Sequence, residues 1–174
     1  MPYFALHIKT RSEDEYLTRA HAVIDDNEAQ LIWLRRSLRI RRRGEWIESL
    51  APIFPGYLFV ESEEMTPELY MKFRRIPGFF RFLNSNHDIV PLTPNDRDLV
   101  SYLLNFGQVV DKSTVYFDEG NRIRVISGPL KELEGKIIKV DRRKGRAKVK
   151  LDMFKQSFFI DFGFEDMEKA SREQ

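Results

Sequence analysis

At 174 residues and 42% hydrophobic content, the chain can form one or two packed domains and is not a disordered tail. It lacks cysteine, which excludes a disulfide framework and any thiolate metal site, and no apolar run approaches the ~20 residues of a membrane span. The net charge of +2 is unevenly spread: residues 1–106 hold 14 Lys/Arg against 15 Asp/Glu, residues 119–174 hold 14 against 10. A soluble, cytoplasmic, monomeric protein is the expectation.

Tyr3 to Lys9 alternates, with Phe4, Leu6 and Ile8 on one face, as a strand does. Ser12 and Glu15 have the spacing of a capping box, and Tyr16, Ala20, Val23 and Ile24 give the following helix one buried stripe. Leu31 to Arg43 is extended and contains six arginines. Arg43-Gly44 reads as a hairpin tip, and Trp46 to Ile53 as the returning arm. Gly56 to Val60 is a further apolar strand.

Thr66 as N-cap, Pro67 and Glu68 open a second helix that ends at Pro77-Gly78, and a short strand follows over 79–83. Thr93, Pro94 and Asp96 repeat the opening signal. The third helix is expected to bury Leu99, Leu103 and Phe106 and to stop at Gly107. Residues 107–118 lack periodicity and are read as a linker. Beyond Gly120 only short strands and glycine turns remain. Arg122 to Leu130, then Glu134 to Val140, reads as strand, Gly-Pro turn, loop and a second strand opening on Gly135. Gly128 supplies a positive φ there, and Gly135 is expected to allow close strand approach.

No frame for chemistry is present. His7, His21 and His87 fall into no metal-binding spacing, no phosphate-cradling Gly-Lys loop occurs, and the carboxylates lie in caps, turns and helix faces. No enzyme, catalytic residue, metal or cofactor is therefore expected.

The segment 122–140 resembles the KOW motif of small SH3-like barrels. Together with Tyr3-Phe4-Ala5-Leu6, Phe54-Pro55-Gly56-Tyr57-Leu58-Phe59-Val60 and Arg74-Arg75-Ile76-Pro77-Gly78-Phe79, it makes the chain similar to the NusG family of transcription elongation factors over nearly its whole length. The resemblance implies an α+β fold: an N-terminal α/β sandwich of the NGN type, with an antiparallel sheet and three helices, linked to a C-terminal SH3-like β-barrel. Residues 1–106 would bind RNA polymerase, 107–118 would tether, and 119–174 would form the barrel. The family's docking surface for the polymerase clamp helices, carried onto matching positions, points to His7, Phe54, Tyr57, Phe59 and Phe82. Rigid aromatics in a concave patch suit that role, although strand alternation would also place such rings in an ordinary core. Thr66-Pro67-Glu68-Leu69 departs from the threonine-rich run of some members, so their second polymerase contact is not carried over.

Two basic clusters stand out. Arg35, Arg36, Arg39, Arg41, Arg42 and Arg43 crowd the first hairpin, and Lys139, Arg142, Arg143, Lys144, Arg146, Lys148 and Lys150 crowd the barrel hairpin around Gly145. Each fits nucleic-acid phosphates, a leader RNA hairpin in particular, and each also fits a solvated face. Alternation sends Ala147, Val149 and Leu151 inward and Arg146, Lys148 and Lys150 outward. Met153-Phe154 matches the family's aromatic site for a small-subunit ribosomal protein or the Rho terminator, but Lys155-Gln156 replaces its usual Gly-Arg. These features lean toward a specialised antitermination paralogue similar to RfaH or LoaP. A general NusG, and a ribosome-associated KOW RNA-binding protein, are the alternatives.

Overall fold

The computed structural model describes residues 1–172; the last two positions of the expected barrel segment, 173 and 174, lie outside the described residues. In chain order the elements are β1 (Tyr3–Ile8), α1 (Glu13–Val23), β2 (Gln30–Ile32), β3 (Arg35–Arg42), β4 (Glu45–Pro52), β5 (Tyr57–Glu61), α2 (Pro67–Arg74), β6 (Phe79–Phe82), β7 (Asn84–Ser85), β8 (Asp88–Ile89), α3 (Pro94–Leu104), β9 (Val109–Val110), β10 (Ser113–Phe117), β11 (Ile123–Ser127), β12 (Ile137–Asp141), β13 (Arg146–Met153), β14 (Gln156–Asp166) and α4 (Met167–Arg172). They gather into two units, Met1–Trp33 with Phe54–Leu99, and Leu34–Ile53 with the chain from Val100 onward. The architecture is α+β, as expected. Among the described residues no helix is long and apolar enough to cross a membrane.

In the first unit, β2-β5-β1-β6 form an antiparallel sheet. Register sets Phe4 opposite Val60, and Leu6 opposite both Leu58 and Phe82, so one face is continuously apolar. That face packs with Tyr16, Ala20 and Ile24 of the first helical segment and Leu69 and Phe73 of α2. The Tyr16 hydroxyl donates to the Phe73 carbonyl at 2.8 Å, and burial raises its pKa. Thr66 caps α2 as expected, its Oγ1 accepting from Leu69 N at 3.2 Å.

Two expectations for α1 fail. Ser12 makes no side-chain cap; the buried Glu13 instead accepts from the Gly56 and Arg11 amides at 2.9 and 3.2 Å. A charged acceptor shared with a distant loop serves where the Ser12–Glu15 box was expected. Val23 is 51% exposed, because the chain leaves helical geometry at Ile24, which turns inward in its place.

The second unit holds a five-stranded sheet, β11-β10-β14-β13-β12. Ala147, Val149 and Leu151 enter its core with Val115, Leu130, Phe162 and Phe164. Gly128 has φ 99°, and a Cβ there would lie 2.7 Å from the Ser113 Cα, so only glycine fits. Ser113 Oγ then accepts from Leu130 N at 2.9 Å, fixing the Gly-Pro corner. Gly135 does not play the expected part. It lies in a 3₁₀ turn (Glu134–Lys136) before β12, with nothing near its missing Cβ.

Residues 107–118 also depart from the expected linker. β9 pairs in parallel with the remote β3, and β10 pairs with the adjacent β11 and in parallel with the remote β14. α3 buries Val100 and Leu103; Leu99 is only partly buried and Phe106 is 38% exposed. The β3–β4 hairpin turns at Arg43 (φ 52°) and Gly44 (φ 82°), as read, with Arg42 paired to Glu45. It clusters with the barrel strands. The Arg36 guanidinium donates to the carbonyls of Pro52 and Asp161, and Arg146 Nη2 donates to the Arg39 carbonyl at 2.8 Å. The approach is close enough that a Cβ at Gly163 would sit 2.8 Å from the Ser37 carbonyl.

Candidate functional site

In the first unit a short hydrogen-bonded corner positions the aromatic residues. The Glu13 carboxylate holds the Gly56 amide, and the Gly56 carbonyl accepts from Ile8 N at 2.8 Å, so Tyr57 begins β5 directly opposite His7. The His7 and Tyr57 rings stack at 4.7 Å and 14°. Between β1 and β6 the register jumps from His7↔Arg81 to Ile8↔Phe79. Phe80 is the extra residue of this bulge and sets its ring edge-on to His7 at 5.3 Å and 73°. Burial, and secondarily the Arg81 charge, lower the His7 pKa, so the imidazole is neutral near pH 7. Phe80 is 53% exposed, and His7 and Tyr57 are partly exposed.

Three of the five expected docking residues are not at this surface. Phe54 and Phe59 are fully buried, their rings edge-to-face at 6.0 Å. Phe82 is fully buried on the opposite sheet face, edge-on to Phe73 at 5.3 Å, because its register partner is the inward-facing Leu6. The sequence points to His7 and Tyr57 but misses Phe80, since a bulge has no local sequence signature here.

The basic clusters divide by environment. Arg36 is the most committed member: burial, only partly offset by Asp161 and aided by Arg146, pushes its pKa down to about 10. Arg35 is half-buried, and Arg39 lies 4.8 Å over the Trp46 ring. Arg41, Arg42 and Arg43 are exposed at the hairpin tip. In the barrel, Arg142 reaches the buried Asp166 at 3.0 Å and covers the Phe117 ring at 4.1 Å, so its role is structural. Arg146 is half-buried against the Arg39 carbonyl. Lys139, Arg143, Lys144 and Lys150 are exposed, Lys148 is half-exposed, and none of the five makes an ion pair among the described residues.

The two clusters, a hundred residues apart in sequence, meet in the second unit. Arg39, Arg142, Arg143 and Lys169 line one cavity of about 160 Å³ with Glu165 and Asp166. Nearby, Lys112 bonds Glu48 and approaches Glu165 at 3.3 Å. Burial alone would lower the Lys112 pKa and raise that of Glu48, but their mutual hydrogen bond reverses both shifts, aided by Glu165 for the lysine and Ser37 for the carboxylate.

Phe154 and Lys155 form the two-residue turn between β13 and β14, with φ 56° and 59°. Phe154 is partly exposed and lies edge-on to Phe158 at 6.3 Å. Met153 is fully buried, so it belongs to the barrel core and not to a partner-facing site.

Residues 1–101 match the family described as transcription termination factor nusG, and residues 119–151 match the KOW motif. The transcription termination/antitermination protein NusG of Thermus thermophilus is 26% identical over 171 residues, covering 93% of this chain and 91% of the relative. Its counterpart in Escherichia coli K12 is 28% identical over 131 residues, covering 74% and 71%. A solved structure described as "Domain interaction in Thermotoga maritima NusG" superposes with a TM-score of 0.58 at 19% identity, over 93% of each chain, which is a likeness of fold.

Proposed function

Because the chain belongs to the NusG family of transcription termination and antitermination proteins, and is a transcription factor of that family rather than an enzyme, we propose that it rides on elongating RNA polymerase and suppresses pausing and termination. The observation that carries this reading is the exposed His7–Tyr57–Phe80 cluster on the sheet of the first unit. Tyr57 and Phe80, each packed against the His7 ring, form a preorganised aromatic anchor, suited to the knobs of a helix pair such as the polymerase clamp helices. The barrel's exposed cations, Lys139, Arg143, Lys144, Lys148 and Lys150, together with Arg41, Arg42 and Arg43 of the hairpin, are the proposed contacts to leader RNA. The protein acts in the cytoplasm as a monomer, and its basic barrel and Lys155-Gln156 dipeptide favour a specialised paralogue. The test is co-purification of the full chain with elongating polymerase. Wild type is retained and Tyr57→Ala is lost; equal retention of both rejects the patch.

The partly exposed Phe154, held in a left-handed turn, favours a second contact with a protein such as Rho or a small-subunit ribosomal protein. Pull-down of either partner by wild type but not by Phe154→Ala supports the general role; no pull-down by either variant rejects it.

A further inference from the structure

The outward face of the β13–β14 pair carries a large ring in water. Phe159 is 56% exposed, and its register partner on β13 is Lys150. Two pairs further along, on the same face, Lys148 stands opposite Asp161 on one side and Lys139 on the other. Residues directly opposite in an antiparallel pair have Cβ atoms about 5 Å apart, so Lys150 borders the ring and Lys148 lies on its diagonal. Beside them a cavity of about 160 Å³ is lined by Lys139, Lys144, Arg146 and Lys148 with Asp141 and Asp161. Four cations against two carboxylates leave it electropositive.

A single exposed phenylalanine is ordinary. Lysines directly opposite one another are not, because like charges at that spacing repel unless an anion is shared. The face therefore combines an accessible π-surface with an adjoining excess of positive charge, which Asp161 opposite Lys148 offsets only in part. It also lacks the ring-on-ring bracing of a protein-docking anchor: among the described residues no other ring packs against Phe159, the neighbouring edge-on pair being Phe154 and Phe158. A flat ring flanked by lysines matches one ligand chemistry best: an unpaired nucleotide, its base on the ring and its phosphate over the cations.

We propose that Phe159 is a base-stacking residue for unpaired RNA, with Lys139, Lys148 and Lys150 holding the adjoining phosphates. The inference rests on the RNA-binding reading above and deepens it. The barrel would then prefer a loop or single strand over a stem, because bases inside an A-form duplex offer no face to stack on.

The test is fluorescence anisotropy of the full chain with labelled oligoadenylate and with a fully paired RNA duplex, at two salt concentrations. Phe159→Ala is expected to weaken oligoadenylate binding about 5- to 150-fold, the range found for loss of one stacked base, with an unchanged salt slope. Duplex binding should be unaltered. Phe159→Trp should bind as wild type, with indole fluorescence quenched on saturation by oligoadenylate. Because the ring is exposed, an unchanged thermal midpoint for Phe159→Ala checks that folding is intact. If Phe159→Ala matches wild type on oligoadenylate while Arg143→Ala/Lys144→Ala weakens it, the stacking role is overturned and the RNA reading survives. If wild type binds neither RNA, the RNA reading itself fails. If Phe159→Ala binds both RNAs normally but loses an acidic protein partner, the face belongs to protein and the inference is overturned.

Discussion

Two sheet faces of this chain leave aromatic rings in water, and they are built in opposite ways. On β1, β5 and β6, Tyr57 and Phe80 each pack against the His7 ring within 5.3 Å, and burial lowers the pKa of that imidazole. On β14, Phe159 faces Lys150 and borders Lys148. The first arrangement presents contiguous apolar surface whose rotamers are already fixed, which favours a protein partner and depends little on salt. The second presents one stackable face within a positive field, which favours a nucleic acid and depends strongly on salt. Exposure alone does not distinguish a docking anchor from a stacking platform; the neighbours of the ring do.

That contrast can be broken at several points. The largest effect is expected at Arg36, whose guanidinium satisfies the Pro52 and Asp161 carbonyls on the barrel side. Arg36→Ala leaves both acceptors unpaired and should cost ~2–4 kcal/mol in urea unfolding of the second unit, without shifting the His7 ring resonances. An unchanged urea midpoint would mean that the hairpin is not pinned by this residue. Next comes Arg143→Ala/Lys144→Ala/Lys150→Ala, which should weaken RNA binding and reduce the log–log salt slope by about 0.7–0.9 per lost phosphate contact. Arg142 is best left out of such a set, since its loss would strand the buried Asp166.

A smaller effect, of opposite sign, is expected in the turn beneath the platform. The β3–β4 turn has glycine at its second position, whereas Phe154-Lys155 holds two side chains at positive φ. Lys155→Gly should relieve that strain and stabilise the protein by about 0.5–1 kcal/mol, readable as a raised thermal midpoint. The smallest effect concerns His7. Its folded pKa is depressed, so as pH falls below the ordinary 6.5 the unfolded chain takes up a proton that the folded chain resists. His7's influence on stability is absent above that pH and becomes unfavourable as pH falls toward the depressed folded value. His7→Phe should flatten this part of the stability–pH curve; an identical curve would show that the imidazole is not held neutral.

Local rules made much of this fold legible. Thr66-Pro67, Arg43-Gly44 and the 146–151 alternation each encode their own geometry, and the structure places them accordingly. The failures share a cause, which is a partner remote in sequence. Glu13 abandons the local capping box because Gly56 offers an amide, and 107–118 is drawn into sheets by β3 and β14 as well as by the neighbouring β11. Arg36 and Arg142 read as free cations in a run of arginines, yet Asp161, Asp166 and Phe117 hold them. Phe82 reads like Phe80, and a one-residue bulge decides which of them meets water. The proposed docking patch is thus legible in the sequence through His7 and Tyr57, without Phe80. The proposed stacking face is not, because it rests on Lys150 standing opposite Phe159 across the strand pair.

The grip proposed for the first unit is apolar contact of its packed rings with polymerase. Affinity of the full chain for the isolated polymerase clamp helices, measured at low and high salt for wild type and Phe80→Ala, tests it most directly. Wild-type binding should change little with salt, and the variant should lose roughly 30-fold in affinity, as expected for one hot-spot aromatic. Binding that vanishes at high salt, or a Phe80→Ala protein that binds as well as wild type, would contradict it.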